Sequence, residues 1–222
     1  MPPSAYTALP DYREYPVEEM QTRAGAYYAG MNRRRTVREF SNRPVPRDII
    51  ENCIRTAATA PSGANLQPWT FVAVSDPSVK HRIRKAAEEV EQKFYTGKAT
   101  RNWVKALAPL GTRQSKPFLE TAPYLIVIFA QRYGMAPDGS KIKHYYVQES
   151  VGIATGLLVS AVHNAGLASL TYTPASMNFL NRILERPENE KPFLILVVGY
   201  PAEATTLPDI KRKNLPDVAT FI

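Results

Sequence analysis

Four arginines lie within six residues near the start of the chain, at Arg33, Arg34, Arg35 and Arg38. A guanidinium presents its N–H groups as a planar fork that pairs with two oxygens of a phosphate. Cations are also favoured at the C-terminal end of a helix, and a helix is predicted directly upstream. We prefer phosphate binding, because this run and a second short basic cluster at 211–213 lack the extended stripe of a nucleic-acid surface.

An acid and a base that could bind a zwitterion occur near the middle of the chain. Glu91 and Tyr95 are four residues apart, which places them on one face of a helix, and Lys116 follows in an irregular stretch. An amino acid carries an ammonium and a carboxylate, so a selective site needs one side chain of each charge. A solvated helix face is the plain alternative, and helical charge patterns alone favour it.

A turn of small residues, Pro61-Ser62-Gly63-Ala64, separates a predicted helix from a predicted strand. Proline restricts the backbone, whereas glycine permits conformations that other residues avoid. Small side chains leave backbone N–H groups uncovered, so a large flat ligand could approach them closely. An ordinary helix-to-strand loop explains the same residues, because proline and glycine occur in most loops.

Other kinds of chemistry find little support in the sequence. Cys53 is the single cysteine, and its apolar helical surroundings predict a buried, inert thiol. The three histidines lack the close spacing of metal ligands, so no metal site is expected. No apolar run is long enough to span a bilayer and no signal peptide is evident, so we expect a soluble, cytoplasmic protein that contacts no membrane.

Alternating helices and strands must position these residues, and 222 residues suit a single domain. Helices are predicted from Pro16 onward and at 46–60, 77–95, 145–165 and 177–184. Strands are predicted at 69–74, 123–130, 168–173 and 193–200. This order predicts an α+β fold with a central sheet flanked by helices. Residues 1–15 are interpreted as an extended arm and residues 96–118 as an active-site lid.

The ordered set of motifs resembles the nitroreductase superfamily of flavin enzymes and, within it, the iodotyrosine deiodinases. The resemblance runs from about residue 30 to the C-terminus. Besides the residues above, Thr171-Tyr172-Thr173-Pro174 and the segment 208–213 carry it. It implies a nitroreductase-like fold with a central mixed sheet and flavin at a homodimer interface. The apolar helix at 145–165 matches a helix that forms much of the dimer interface in that superfamily.

The resemblance implies FMN as the cofactor and assigns residues to it and to the substrate. The cofactor-binding residues that it implies are Arg34, Arg35, Thr36, Arg38, Pro61, Ser62, Gly63, Thr171, Tyr172, Thr173 and Arg212. Thr173 would be the catalytic residue, because it would bond the flavin N5. The substrate-binding residues that it implies are Ala64, through its backbone N–H, with Glu91, Tyr95 and Lys116. Thr36 stands where animal relatives have serine, and the hydroxyl is retained.

The implied reaction is reductive dehalogenation of 3-iodo-L-tyrosine and other halotyrosines to tyrosine and halide, through one-electron steps. An aryl carbon–iodine bond resists ordinary nucleophiles, so a reduced cofactor must supply electrons. The electron donor, NAD(P)H or a reductase, is not identified by the sequence. A general nitroreductase or quinone reductase that uses FMN by hydride transfer is the alternative enzyme, and it does not need Glu91, Tyr95 and Lys116. A protein that binds flavin or another anion without turning over a substrate is a further alternative. Binding of nucleic acid is suggested only by the net charge of +8, and we do not expect it.

Overall fold

A computed structural model describes residues 6–9, 11–97 and 114–222 of the chain. The chain divides into two compact units, of which the first ends at Arg34 and the second runs from Arg35 to the C-terminus. The expectation of a single domain stays a prediction. Most of the lid predicted at 96–118 lies outside the described residues, which omit residues 98–113.

The first unit contains an irregular segment and one long helix. The described residues of the predicted arm are irregular and mostly exposed. Helix α1 (Val17–Arg33) begins after Pro16, whose fixed φ suits the start of a helix. None of the residues of α1 is buried, and both Tyr27 and Tyr28 are more than half exposed.

The second unit is built around a four-stranded sheet. Its strands are β1 (Trp69–Val74), β2 (Tyr124–Gln131), β5 (Ala168–Tyr172) and β6 (Glu190–Gly199), in the order β1-β2-β6-β5. The α+β class with flanking helices is confirmed. The sheet is antiparallel rather than mixed, because all its strand pairs are antiparallel. Among the described residues, parallel pairing is limited to an isolated bridge between Thr36 and Ser169.

Helices cover both faces of this sheet. They are α2 (Arg47–Ala58), α3 (Pro77–Gly97), α4 (Phe118–Thr121), α5 (Val147–Asn164) and α6 (Phe179–Ile183). Strand β2 is an uninterrupted apolar run, as expected for a strand that is buried on both faces. Its successive side chains point to opposite faces of the sheet. Ile126 and Ile128 pack with α2 and α5. Leu125 and Val127 pack with α3, α4 and α6. Two apolar cores therefore lie on either side of one sheet.

Local sequence signals explain where α3 begins. Asp76 precedes the helix, and its Oδ1 accepts hydrogen bonds from the backbone N–H groups of Ser78 and Val79 at 2.8 and 2.9 Å. These are N–H groups that the first turn of a helix cannot satisfy by itself.

Buried Lys80 joins this helix to the end of α4, since its Nζ donates to Glu120 O and Ala122 O at 2.9 and 2.8 Å.

The stretch between β2 and α5 contains a hairpin that sequence patterns did not predict. Strands β3 (Tyr133–Met135) and β4 (Lys141–Lys143) pair antiparallel around a turn in which Gly139 has a φ of 83°. This backbone conformation favours glycine because it has no Cβ. Each strand has only three residues, which is too short for an alternating pattern to be recognised.

Candidate functional site

Glu91 on α3 and Lys116, which lies just before α4, form a buried ion pair. Lys116 Nζ is 3.6 Å from Glu91 Oε2, and both side chains are at most one-tenth exposed. That distance is within ion-pair range but longer than a hydrogen bond. Because a buried charge is costly unless an opposite charge compensates it, the solvated-face interpretation is wrong for Glu91. The structure thus brings together the acid and the base that the zwitterion hypothesis requires.

Tyr172 on β5 completes this cluster. Its phenol O–H donates to Glu91 Oε1 at 3.2 Å, and Lys116 Nζ lies 5.7 Å from the centre of its ring. Burial and the negative charge of Glu91 raise the pKa of the Tyr172 phenol well above its ordinary value. The phenol therefore stays protonated and acts as the donor to the carboxylate. Phe118 packs edge-on against the ring, with 5.5 Å between the ring centres.

A second carboxylate on α3 anchors the backbone of Lys116. Glu88 Oε1 accepts the Lys116 N–H at 2.6 Å and Arg84 Nε–H at 2.9 Å. The Ser115 hydroxyl also donates to it, at 3.2 Å. Burial raises the pKa of the Glu88 carboxyl, but the hydrogen bonds from Lys116 and Arg84 outweigh burial and hold it below its usual value. Glu88 was not singled out in the sequence, although it lies one helical turn before Glu91.

Tyr95 lies one turn after Glu91 on α3, and its side chain is half-buried. Its ring is in edge-on contact with Phe94, with 6.2 Å between the ring centres. The predicted spacing of Glu91 and Tyr95 on one helix is confirmed, because α3 continues to Gly97. The contact of Tyr95 with a substrate stays a prediction.

The Pro-Ser-Gly-Ala turn is held tightly against the start of α5. A Cβ placed on Gly63 would lie only 2.7 Å from Tyr145 O, so no larger residue fits without a shift of the backbone. The Gly63 N–H donates to Ser150 Oγ at 3.4 Å, and the Ser150 hydroxyl in turn donates to Tyr146 O at 2.6 Å. Buried Ser150 is thus a positioning residue that the sequence motifs did not reveal.

Within the turn, Ser62 and Ala64 have separate roles. Ser62 Oγ accepts the Gln67 N–H at 2.9 Å, so its hydroxyl stabilises the turn itself. Ala64 is exposed and has a φ of 51°, in the left-handed region that costs energy for a residue with a Cβ. The bond from the Ala64 N–H to a substrate stays a prediction.

The arginine run and the C-terminal segment meet at Arg35, whose Nη2 donates to Pro208 O. Arg212 follows four residues after Pro208 and is exposed. Burial lowers the pKa of the half-buried Arg38 guanidinium, and no acid of the described residues pairs with it. A desolvated cation beside a second arginine suits an anionic group such as a phosphate. Arg34 ends the first unit, so its position relative to this cluster is not described.

Three predicted site residues, two in strand β5 and Thr173 directly after it, differ in burial. Thr171 and Thr173 are exposed, whereas Tyr172 between them is buried on the side of α3. This alternation follows from the pleat of a strand. The side chain of Tyr172 therefore belongs to the Glu91 cluster rather than to the surface that carries the threonines.

The chain matches the model of the nitroreductase family over residues 31–200. The chain belongs to the nitroreductase family. It is 57% identical over 201 residues to iodotyrosine deiodinase of Haliscomenobacter hydrossis, with 90% of each chain covered. It is 48% identical to iodotyrosine deiodinase 1 of Homo sapiens, with 95% of this chain and 73% of the human protein covered.

Solved structures agree with this family assignment. An oxidised iodotyrosine deiodinase bound to FMN and 3-iodo-L-tyrosine superposes with a TM-score of 0.74 at 30% identity, covering 88% of this chain and 100% of that chain. A nitroreductase with bound FMN from Bacteroides fragilis has a TM-score of 0.64 at 20% identity, covering 88% of this chain and 98% of the other, and shows the shared fold. No helix in the described part of the chain has the length and apolar character needed to cross a membrane.

Proposed function

We propose that this protein is an FMN-dependent oxidoreductase that removes iodide from 3-iodo-L-tyrosine and halide from related halotyrosines. The observation that carries the proposal is the buried Glu91–Lys116 pair. It occurs in a chain that is 57% identical to an iodotyrosine deiodinase. The relatives supply the reaction class, and the pair supplies a physical reason for an amino-acid substrate.

The pair suits a zwitterion because each partner can exchange its protein contact for a substrate contact. The substrate ammonium would bind the Glu91 carboxylate, and the substrate carboxylate would bind the Lys116 ammonium. The two charges already lie 3.6 Å apart, so a zwitterion could replace one ion pair with two. Ala64 N–H would bond the phenolate oxygen at the other end of the substrate, and Tyr95 would pack beside it.

The cofactor would be held by residues that fit a flavin mononucleotide. Arg34, Arg35, Arg38 and Arg212, with the Thr36 hydroxyl, would bind its phosphate, and the turn from Pro61 to Gly63 would contact the ring. Reduced FMN supplies the two electrons with which the carbon–iodine bond is replaced by a carbon–hydrogen bond, a proton is taken up and iodide leaves. Thr173, which is exposed directly after β5, would donate a hydrogen bond from its hydroxyl to the flavin N5.

A general nitroreductase or quinone reductase is the competing enzyme. Such an enzyme accepts flat, mostly uncharged compounds, so it gains nothing from two buried opposite charges. Keeping those charges in the interior costs desolvation free energy that their mutual attraction only partly offsets. The buried pair therefore favours a charged substrate over this alternative.

A homodimer is part of the proposal. Helix α5 is the most apolar helix, yet it presents an exposed stripe that contains Gly152, Ile153 and Gly156. A Cβ placed on either glycine would meet no atom of the described residues within 4 Å, so this face is open in the described part of one chain. A second copy of the chain could approach it closely. The protein would act in a reducing, cytoplasmic location, which suits the free thiol of Cys53. NAD(P)H or a reductase would be its electron donor.

Anaerobic single turnover tests the proposed reaction. The flavin-loaded protein is reduced with dithionite and mixed with 3-iodo-L-tyrosine, and flavin absorbance, tyrosine and iodide are followed together. We expect flavin reoxidation with one tyrosine and one iodide formed per flavin. Reoxidation by a quinone or nitroaromatic compound, but not by iodotyrosine, would instead support the general reductase.

A further inference from the structure

Tyr172 lies between two threonines that are assigned to the cofactor, but its side chain points the other way. Thr171 and Thr173 are exposed, and Tyr172 is buried among the core residues that face α3. In the strand register Tyr172 is paired with Ile195, whose side chain is fully buried in the same core. The residues next to Tyr172 in the sequence are therefore not the residues that its side chain contacts.

The contacts of Tyr172 are those of a residue that orients the Glu91 carboxylate. Its O–H is 3.2 Å from Glu91 Oε1, whereas Lys116 Nζ is 3.6 Å from Glu91 Oε2. One carboxylate oxygen is thus held by a neutral donor from the sheet, and the other faces a cation. Because β5 is fixed by its pairing with β6, the donor is fixed in position as well.

We propose that Tyr172 is a positioning residue for recognition of the substrate ammonium, an inference that rests on the proposed halotyrosine dehalogenation. Its hydroxyl retains Oε1 of Glu91, so that Oε2 can release Lys116 and accept the ammonium without rotation of the carboxylate. Without the hydroxyl, Glu91 would pair with Lys116 more closely, and the acid would be less available to the substrate. Tyr172 would thereby contribute to selectivity for amino acids over simple phenols.

A purely structural role for Tyr172 makes a different prediction. The ring packs edge-on with Phe118, and phenylalanine would preserve that packing. If packing were the whole function, Tyr172→Phe would leave ligand binding unchanged or weaken all ligands equally. Only an orienting role makes the loss depend on the amino group of the ligand.

The experiment compares two ligands on flavin-loaded wild type and Tyr172→Phe. They are 3-iodo-L-tyrosine and its analogue without the amino group, iodohydroxyphenylpropionate, titrated against the fluorescence of bound flavin. A hydrogen bond to a charged group corresponds to roughly tenfold to hundredfold in affinity. We expect Tyr172→Phe to weaken iodotyrosine binding by about tenfold or more and to change binding of the analogue by less than about twofold. In turnover, KM should rise while kcat changes little.

Two further variants make the result decisive. Tyr124→Phe removes a hydroxyl from a tyrosine that packs on the opposite core, and it should bind both ligands as wild type does. In a Glu91→Gln background, Tyr172→Phe should cost little further affinity, because no charged group remains to be oriented. A full additional loss there would show that Tyr172 acts independently of Glu91 and would overturn the proposal.

The remaining outcomes separate this inference from the proposed function. If wild type prefers iodotyrosine to the analogue and Tyr172→Phe keeps the same preference, the role of Tyr172 is wrong and the function stands. If wild type binds both ligands equally, the zwitterion site itself is wrong and the role of Tyr172 falls with it.

Discussion

Glu88 Oε1 accepts the backbone N–H of Lys116 at 2.6 Å, which joins two residues that are 28 positions apart in the sequence. The bond holds the backbone of Lys116 next to α3, the helix that also carries Glu91. The ammonium of Lys116 lies 3.6 Å from Glu91 Oε2. Glu88 therefore links the stability of this part of the fold to the geometry of the candidate substrate site.

The link to Glu88 predicts an acid-dependent loss of stability. The folded pKa of Glu88 is below its ordinary value, so its stabilising effect is complete above the unfolded pKa of about 4.3 and is lost as pH falls through the folded pKa. Glu88→Gln should lower the free energy of unfolding by about 1–2 kcal/mol at neutral pH. Urea unfolding should show this difference shrinking as the pH falls through the folded pKa of Glu88, below which both side chains are uncharged. Glu89→Gln, on the exposed side of α3, is the matched control, and a difference that persists in acid would contradict the charge assignment.

Glu91→Gln should weaken binding of 3-iodo-L-tyrosine while the flavin content stays unchanged. Leaving the substrate ammonium without a negative partner costs about 2–5 kcal/mol, or roughly thirty-fold to several thousand-fold in affinity. Titration of the bound flavin's fluorescence with 3-iodo-L-tyrosine measures this loss of affinity. Iodophenol binding should be almost unaffected, because iodophenol has no ammonium. Wild-type affinity for iodotyrosine in Glu91→Gln would exclude the zwitterion clamp.

Thr173→Ala should separate two activities that use the same cofactor. If the Thr173 hydroxyl bonds the flavin N5 and favours one-electron steps, deiodination should fall by about tenfold, which corresponds to about 1.4 kcal/mol. Reduction of a nitroaromatic compound by hydride transfer should hold or rise. Initial rates with both substrates test this, with Ser176→Ala, an exposed hydroxyl three residues further along the chain, as the control. A parallel fall of both rates would argue that Thr173 merely supports flavin binding.

Arg35→Ala combined with Arg212→Ala should release flavin. Each charge-assisted hydrogen bond to a phosphate contributes about 1.5–3 kcal/mol, and Arg35 also fixes the segment that carries Arg212 through Pro208 O. We expect the double variant to elute from gel filtration without flavin absorbance. Lys213→Ala, an exposed neighbour, should keep its flavin. Full retention by the double variant would refute the phosphate assignment.

Gly156→Leu should weaken the proposed dimer without disturbing the protomer. An added Cβ at Gly156 meets nothing within 4 Å among the described residues of its own chain, so the described part of the protomer leaves room for the start of a larger side chain. Light scattering across a dilution series should show dissociation at a protein concentration at least about tenfold higher than for wild type. Gly156→Ala is the size control and should have a smaller effect. A wild-type protein that stays monomeric, flavin-loaded and active would end the dimer proposal.

Sequence patterns predicted most of the fold, because the central strands β2 and β6 are long apolar runs that are buried on both faces. The apolar run of β2 and the alternation in β1 fixed their positions to within one or two residues. Antiparallel pairing could not be read from these runs, since a continuous apolar strand is typical of parallel and covered antiparallel sheets alike. The hairpin of β3 and β4 was missed because three-residue strands carry no periodic signal.

The candidate site was predicted less completely, for a physical reason. A glutamate on a helix is exposed unless a distant cation enters the core beside it, and local spacing cannot reveal that cation. Glu91 was therefore assigned by resemblance, and its burial beside Lys116 became evident only in three dimensions. Tyr172 was grouped with its sequence neighbours, although the pleat of β5 turns its side chain away from them.

Cys53 gives this molecule a built-in reporter of its own opening motions. The thiol lies in the apolar core between α2, α5 and the sheet, and burial raises its pKa. A thiol reagent reacts with the thiolate, so labelling must await local or global opening of that core. Because the sequence has no other cysteine, the labelling rate follows one position. Comparing that rate with and without bound flavin would measure how far the cofactor slows opening on this side of the sheet.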